Sequence, residues 1–186
     1  MIPAINIERG TITLLHGTTA ANAAKILEHG FRPMNPEAVA TEVAAAFGLP
    51  PAEIYDHIHF EFARHRRDLD HVHLTSDLAT ARAYTVPEVV QDALKAAWAI
   101  LHPVERQDLR PGLKLQQEWV AHEGRRLAQP AILAVTMPWP VFGDHAFGKK
   151  LALQEWLEFG KLADLHSKSV PIKALHGLGT ICLVTA

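Results

Sequence analysis

The chain opens with a hydrophobic, β-branched run that changes to a helical pattern after a few polar positions. The run TITLLH predicts a strand that ends at His16, where Gly17 permits a turn. The next run, AANAAKILEHG, has the alanine and leucine content of a helix. Thr18 or Thr19 can cap its start and Gly30 can end it. The chain therefore begins with a predicted strand, a polar turn and a helix.

Helical patterns dominate two later stretches of the chain. After the proline-bounded linker FRPMNP, the runs EAVATEVAAAFG and PAEIYDHIHFEFARHRRDL predict two helices separated by GLPP. The runs VPEVVQDALKAAWAILHP and LKLQQEWVAHEGRRLAQ predict two more, and the first of these has a continuous apolar stripe. Between the two stretches, HVHLT predicts a short strand and SDLATARAYT predicts a helix that Ser76 or Asp77 caps.

The final part of the chain alternates strands and connections. AILAVTMPW predicts a strand that Pro138 and Pro140 end, and VFGDHAFGKK predicts a loop that is long enough to move. LALQEWLEF and GTICLVTA predict strands, and SVPIKALHG predicts a turn with a short strand or helical turn. The expected fold is α+β, a split mixed or antiparallel sheet in one domain, 1–186, with helical insertions at about 36–68 and 86–128 packed outside it.

Composition narrows the class of protein. With 186 residues, 48% of them hydrophobic, and a formal net charge of −2, the chain has a core to bury and no extended nucleic-acid-binding surface. No apolar stretch approaches the roughly 20 residues of a membrane span. The start MIPAINIERG lacks the pattern of a signal peptide. We therefore expect a cytoplasmic protein, or one secreted by a signal-less route.

The twelve histidines raise the question of a metal site. His57 and His59 lie two positions apart on a predicted helix and point in different directions, whereas His71 and His73 would share one face of a strand. Because no CxxC or HExxH pattern accompanies them, we predict no metal site. The patterns GxGxxG and GxxxxGK[ST] are absent as well, which argues against a doubly wound nucleotide-binding fold.

Two of the predicted element ends carry candidate binding groups. At the end of the first strand, His16 offers a hydrogen-bonding group and Gly17 lets a ligand reach backbone atoms without meeting a side chain. Tyr84 ends the helix in SDLATARAYT, and its ring offers a face on which a flat heterocycle can stack. Taken alone, His16 has a simpler interpretation as a hydrogen-bonded surface histidine, and Tyr84 has one as a core tyrosine.

Two acidic residues in LALQEWLEF are the third candidate. A carboxylate in a cleft can hold a hydroxyl and stabilise a developing cation, as glycosyl transfer requires. On a strand, Glu155 and Glu158 would face opposite sides, so at most one of them enters a cleft. An exposed acid on an edge strand is the structural alternative for either residue.

In this order, LLHGTTAANAAKILEHGF, VHLTSDLATARAY and LQEWLEF resemble the ADP-ribosyltransferase superfamily, in the branch shared by diphtheria-type toxins and poly-ADP-ribose polymerases. That branch has a strand with His-Gly-Thr or His-Gly-Ser, then a strand with a Thr/Ser-rich turn leading to an A-x-x-Y helix, then a glutamate on a late strand. PIKALHGL resembles the segment that follows the acid. The resemblance does not extend to the helical stretches 36–68 and 86–128.

The resemblance implies an ADP-ribosyltransferase, a glycosyltransferase that cleaves the nicotinamide–ribose bond of NAD and transfers ADP-ribose to a macromolecular acceptor. NAD is then a substrate, and the acceptor is a protein or a nucleic acid. A bacterial toxin or effector fits this activity, and a toxin would also have a neutralising partner.

Each candidate residue takes a role from the resemblance. His16 would hydrogen-bond the adenine-side ribose, the backbone of Gly17 would grip the nicotinamide amide, and Tyr84 would stack on the nicotinamide ring. Glu155, with Glu158 as the alternative, would hold the 2′-hydroxyl of the nicotinamide ribose and stabilise the oxocarbenium-like state. The residues expected to bind NAD are His16, Gly17, Thr18 and Tyr84.

Two alternatives share the resemblance. HVHLT followed by an aspartate is also similar to the tRNA 2′-phosphotransferases, which use NAD but end in a strand without the acid found here in QEWLEF. The family often has an aromatic residue on the second strand, to cover the other side of the nicotinamide, where this chain has Leu74 beside His73. That departure supports a non-catalytic module that keeps the fold and binds NAD or a partner.

Overall fold

A computed structural model gives the structure of residues 4–6, 9–64, 70–103, 111–147, 168–177 and 179–184. Within them the fold is α+β, as expected. The strands are β1 (Ala4–Asn6), β2 (Thr11–Thr19), β3 (His71–Leu74), β4 (Pro130–Pro138), β5 (Lys168–Pro171) and β6 (Thr180–Leu183). The helices are α1 (Ala20–His29), α2 (Pro36–Phe47), α3 (Pro51–Arg64), α4 (Leu78–Ala83), α5 (Glu88–Leu101), α6 (Pro111–Leu127), α7 (Trp139–Phe147) and α8 (Ile172–Leu175).

The chain divides into two compact units. The first, called here the sheet unit, comprises Met1–Pro33, Arg67–Thr85 and Pro130–Ala186. The second, called here the helical unit, comprises Met34–Arg66 and Val86–Gln129. The described parts of the two predicted insertions, 36–68 and 86–128, lie in the helical unit. None of the described helices is long and apolar enough to span a membrane.

The sheet unit contains two small antiparallel sheets. One has four strands in the order β1-β2-β4-β6, and the other pairs β3 with β5. In the part of the chain that the structure describes, the two sheets are joined by the pair Leu15 and Thr75, which exchange both backbone hydrogen bonds at 2.8 and 2.9 Å. The strand pairings in the described residues are all antiparallel.

Residues that alternate along β2 supply two cores of the sheet unit. One face of the four-stranded sheet packs with β3, β5, α1, α7 and α8 into the main core. The largest fully buried side chains of this core are Phe142, Ile12, Leu14, Leu74, Leu133 and Met137. The opposite face buries Leu15 and Ala134 against Ala81 of α4. Helix α4 is therefore fastened to the face of β2 that the main core does not use.

The helical unit is built on capped amphipathic helices. The Asn35 side chain accepts the backbone N–H of Glu37 at 3.0 Å to cap α2, and Gly48 ends α2 in the left-handed conformation. Ala44, Ile54 and Leu94 are fully buried in this unit. Local capping and apolar periodicity are sufficient to predict these helices.

The sequence misplaces two features of the sheet unit. The first strand does not end in a turn at Gly17, because β2 pairs with β4 as far as Thr19. The segment predicted as the loop VFGDHAFGKK is helix α7 as far as Phe147, and its residues 148–150 lie outside the described part. Helix α7 forms because Trp139 and Phe142, three positions apart, are both buried on one helical face.

Candidate functional site

Strands β2 and β3 separate just beyond the pair that joins the two sheets. Because the strands are antiparallel, the next hydrogen-bonded pair after Leu15 and Thr75 would be Gly17 with His73. Those backbone bonds are not made. The His16 side chain reaches across instead, and its Nδ1 lies 3.0 Å from the carbonyl oxygen of His73. We call the opening between Gly17 and His73 the strand gap.

The backbone of Gly17 faces the strand gap. In an antiparallel strand, the N–H and C=O groups of residues two apart point to the same edge, so those of Gly17 follow Leu15 and turn away from β4. Ile132, which stands opposite Gly17 on β4, uses its own carbonyl to accept the N–H of Val184 at 2.8 Å. Within the described residues, the N–H and C=O of Gly17 have no hydrogen-bond partner. The strand gap therefore presents an adjacent donor and acceptor.

His16 presents a second unsatisfied group beside them. A carbonyl oxygen only accepts hydrogen bonds, so the contact with His73 requires the proton to be on Nδ1 of His16. Burial lowers the pKa of His16; the hydrogen bond to His73 raises it, and the nearby His73 ring lowers it again, leaving the pKa below its ordinary value. In the neutral ring, Nε2 is an acceptor, and among the described residues it has no partner. The His16 and Phe31 rings pack in a T-shaped arrangement, with 5.2 Å between their centroids.

Helix α4 ends against the face of Gly17. A Cβ atom at this position would lie 1.9 Å from the carbonyl oxygen of Ala81 and 3.2 Å from the carbonyl carbon of Tyr84. Residue 17 is therefore a glycine because the backbone of α4 approaches it closely, and its φ is not positive. This contact also places Tyr84 next to the strand gap. The Tyr84 side chain is 52% exposed, which is high for a tyrosine beside a packed sheet.

Polar contacts in the Thr-Ser-Asp turn fix the start of α4. The Asp77 carboxylate accepts the backbone N–H of Thr80 at 2.7 Å and its hydroxyl at 2.6 Å. The hydroxyl of Thr75 accepts the N–H of Asp77 at 3.0 Å. Segment 75–84 is thus attached to β2 at both ends, through Leu15 at one and Gly17 at the other. The sequence motifs do not point to Thr75, in the turn before α4, or to Ala81, within α4, as parts of the site.

The remaining candidates have different positions. Thr18 is buried, and its hydroxyl accepts the side-chain amide of Asn22 at 2.8 Å, so this hydroxyl faces α1. Leu74 is fully buried in the main core, while the neighbouring His73 is exposed. Glu155 and Glu158 lie outside the described residues. The structure thus brings together His16, Gly17 and Tyr84.

The histidine pair on α3 has local partners in the structure. Nδ1 of His57 lies 2.8 Å from the carbonyl oxygen of Glu53, and Nδ1 of His59 lies 2.8 Å from that of Asp56, so each ring bonds to its own helix. In the described part of the chain, no three histidine, cysteine or acidic side chains are grouped in a way that could hold a metal ion.

Comparison with known proteins gives no further guidance, since no family model, curated protein or solved structure matches the chain.

Proposed function

We propose that the protein binds NAD in the strand gap and transfers its ADP-ribose to a protein or nucleic-acid acceptor. The observation that carries this proposal is that the N–H and C=O of Gly17 have no hydrogen-bond partner among the described residues, and that His16 and the exposed Tyr84 are next to them. Unpaired backbone groups next to a structured sheet are uncommon, because a missing hydrogen bond costs about 1–3 kcal/mol when the group is shielded from water. A bound ligand would supply the missing partners.

The chemistry of the nicotinamide ring fits these groups. Its carboxamide has one C=O that accepts and one NH₂ that donates, which is the complement of an adjacent N–H and C=O on one residue. Because Gly17 has no side chain, α4 approaches the face of β2 closely and brings Tyr84 next to the strand gap. Strand β3 does not make these hydrogen bonds to Gly17, and the His16 side chain contacts the carbonyl oxygen of His73 instead.

Tyr84 supplies the apolar part of the proposed site. An aromatic ring that stacks on a flat heterocycle contributes about 1–3 kcal/mol. With its backbone against Gly17, Tyr84 is within reach of a ring whose carboxamide is bound there. Leu74 is held in the main core, so we expect stacking from Tyr84 on one side of the ring and no contribution from residue 74.

The proposed reaction breaks the bond between the ribose C1′ and the nicotinamide nitrogen. The leaving nicotinamide takes the bonding electron pair and becomes neutral, and the positive charge passes to the ribose as an oxocarbenium-like state. A nucleophilic oxygen or nitrogen of the acceptor then bonds to C1′ and loses its proton. Glu155 or Glu158 would stabilise the cationic state and hold the 2′-hydroxyl, since a nearby carboxylate opposes developing positive charge.

The test is release of nicotinamide from NAD labelled in that ring, with the wild-type protein and with Tyr84→Ala, Tyr84→Phe, Glu155→Ala and Glu158→Ala. We expect Tyr84→Ala to raise KM about 5- to 150-fold, in line with the loss of stacking. Tyr84→Phe keeps the ring and should stay near the wild type. One of the two glutamate variants should lose kcat, which would identify the acid.

Other outcomes distinguish the alternatives. Removal of phosphate from a 2′-phosphorylated RNA in the presence of NAD, without transfer to other acceptors, would favour the RNA 2′-phosphotransferase. NAD binding without nicotinamide release with any protein or nucleic-acid acceptor would favour a non-catalytic module. If NAD neither binds nor reacts, the proposed function is wrong.

A further inference from the structure

We propose that Thr80, held by Asp77, positions Tyr84 at the strand gap, so that both residues affect ligand binding through the tyrosine ring. The inference rests on the proposed function, since it concerns the residue expected to stack on the nicotinamide. It follows from a series of hydrogen bonds along segment 75–84.

The position of Tyr84 depends on its backbone. The side chain is 52% exposed and, among the described residues, has no hydrogen-bond partner and no contact with another ring. The backbone N–H of Tyr84 donates to the carbonyl oxygen of Thr80 at 3.2 Å. Helix α4 has six residues, fewer than a helix needs to be stable on its own, so its position depends on contacts at its ends. The way the first turn of α4 is held therefore determines where the tyrosine lies.

Asp77 holds the first turn of α4 through Thr80. One carboxylate oxygen, Oδ2, accepts both the backbone N–H of Thr80 at 2.7 Å and its hydroxyl at 2.6 Å. Hydrogen bonds to an ionised acceptor are roughly twice as strong as those between neutral groups. The hydroxyl thus adds a strong side-chain bond to the backbone cap, and Thr80 is linked to Asp77 on one side and to Tyr84 on the other.

The other end of this series of bonds is attached to β2. The N–H of Asp77 donates to the hydroxyl of Thr75 at 3.0 Å, and the backbone of Thr75 pairs with Leu15. A hydrogen-bonded path therefore runs from the strand through Thr75, Asp77 and Thr80 to Tyr84. Removing the Thr80 hydroxyl weakens the middle of this path without changing a group that is proposed to touch the ligand.

The chain offers matched substitutions. Thr80→Val keeps the branched shape of the side chain but removes the hydroxyl, and Thr80→Ser keeps the hydroxyl. Thr41 on α2 also has a hydroxyl bonded within its helix, 2.8 Å from the carbonyl oxygen of Glu37, so Thr41→Val makes the same change outside the sheet unit. Thermal unfolding of each variant shows whether it remains folded.

The experiment measures NAD affinity by calorimetry in a double-mutant cycle of Thr80→Val and Tyr84→Ala. We expect Thr80→Val to weaken binding about 3- to 10-fold, the effect of one hydrogen bond. Thr80→Ser should restore most of the affinity, and Thr41→Val should bind like the wild type. With Tyr84→Ala already present, Thr80→Val should cause no further loss, because its effect passes through the missing ring. An equal loss with and without the tyrosine would overturn the inference.

A second measurement needs no ligand. The Tyr84 amide is bonded to Thr80, so its hydrogen exchange should be about 3- to 10-fold faster in Thr80→Val than in the wild type. The Leu15 amide, which is bonded to Thr75, should exchange at the same rate in both. An unchanged rate at Tyr84 would overturn the inference whatever the binding data show.

The possible failures are distinct. If Thr80→Val binds NAD as tightly as the wild type, the positioning role is wrong and the proposed function is left in place. If Tyr84→Ala binds NAD as tightly as the wild type, the stacking role fails and the inference fails with it. If the wild type does not bind NAD, the proposed function and the inference fail together.

Discussion

Replacing Gly17 by alanine tests the central contact of the sheet unit, the close approach of α4 to β2. The added Cβ would lie 1.9 Å from the carbonyl oxygen of Ala81 and 2.9 Å from its carbonyl carbon. Both are backbone atoms, so no side-chain rotation can relieve the overlap. The distance to the oxygen must grow by about 1.1 Å before it reaches 3.0 Å, below which real Cβ contacts essentially do not occur.

A displacement of that size weakens the smaller core of the sheet unit. Ala81 is fully buried and packs on Leu15 and Ala134, so moving α4 outward opens this cluster. Overpacking of this kind costs about 1–3 kcal/mol. For a chain of this length, such a loss lowers Tm by about 2–12 °C. Tyr84 moves with the end of α4, so NAD affinity should fall together with stability.

Gly124 is a suitable control, because it lies inside α6 and its added Cβ would be 3.4 Å from Cγ1 of Val86, an ordinary contact. Alanine is a better helix former than glycine by about 1 kcal/mol, so Gly124→Ala should leave Tm unchanged or raise it. Thermal and urea unfolding, followed by circular dichroism, compare the two variants with the wild type. If Gly17→Ala is as stable as the wild type, α4 does not approach β2 as described.

Three further predictions address other contacts. Asp77→Ala removes the cap of α4 and should lower the free energy of unfolding by about 0.5–2 kcal/mol in urea, whereas Asp77→Asn should keep most of it; equal losses would contradict the capping role. Leu74→Phe overfills the main core and should cost about 1–3 kcal/mol without raising NAD affinity; a gain in affinity would contradict the buried position of Leu74. Burial raises the pKa of Glu123, but the hydrogen bonds from Arg126 and His122 and the charges of these two residues lower it by more than burial raises it. The folded pKa is therefore below the ordinary value. The wild type should therefore lose stability relative to Glu123→Gln as the pH falls below about 4.3, the unfolded pKa of a glutamate, and through the lower folded pKa. Urea unfolding measures the free energy of unfolding of both proteins. A difference between the two free energies that is the same at pH 7 and at pH 3 would contradict this prediction.

Features that depend on neighbouring residues were predictable from the sequence. Thr19 caps α1, Asp77 caps α4 and Gly30 ends α1, because each of these contacts spans four residues or fewer along the chain. Strands β3, β4 and β6 were predicted for the same reason, since their runs of β-branched and apolar residues identify them without knowledge of their partners.

Features that depend on distant residues were not predictable. Gly17 was assigned to a turn, because nothing near it in the sequence reveals that Ala81 lies against it. Helix α7 was assigned to a loop, because its glycine and aspartate favour a turn locally and only the burial of Trp139 and Phe142 outweighs them.

The candidate site combines features that the sequence predicts locally with features that depend on distant residues. The residue types His16, Gly17 and Tyr84 were identified from motifs. The strand gap that gives them a shared location arises from the register of β2 against β3 and from the bond between His16 and His73, which are 57 positions apart. Glu155 and Glu158 stay predictions from the sequence, because they lie outside the described residues.

The most direct test of the account is a titration of the ¹⁵N-labelled protein with NAD, followed by the backbone amide resonances. A hydrogen bond from the N–H of Gly17, which has no partner among the described residues, to the nicotinamide carboxamide predicts a large, saturable shift of the Gly17 resonance, with smaller shifts at His73 and Tyr84. The Leu15 amide, already bonded to Thr75, should change little and serves as the internal control. A saturating concentration of NAD that leaves the Gly17 resonance in place would contradict the account.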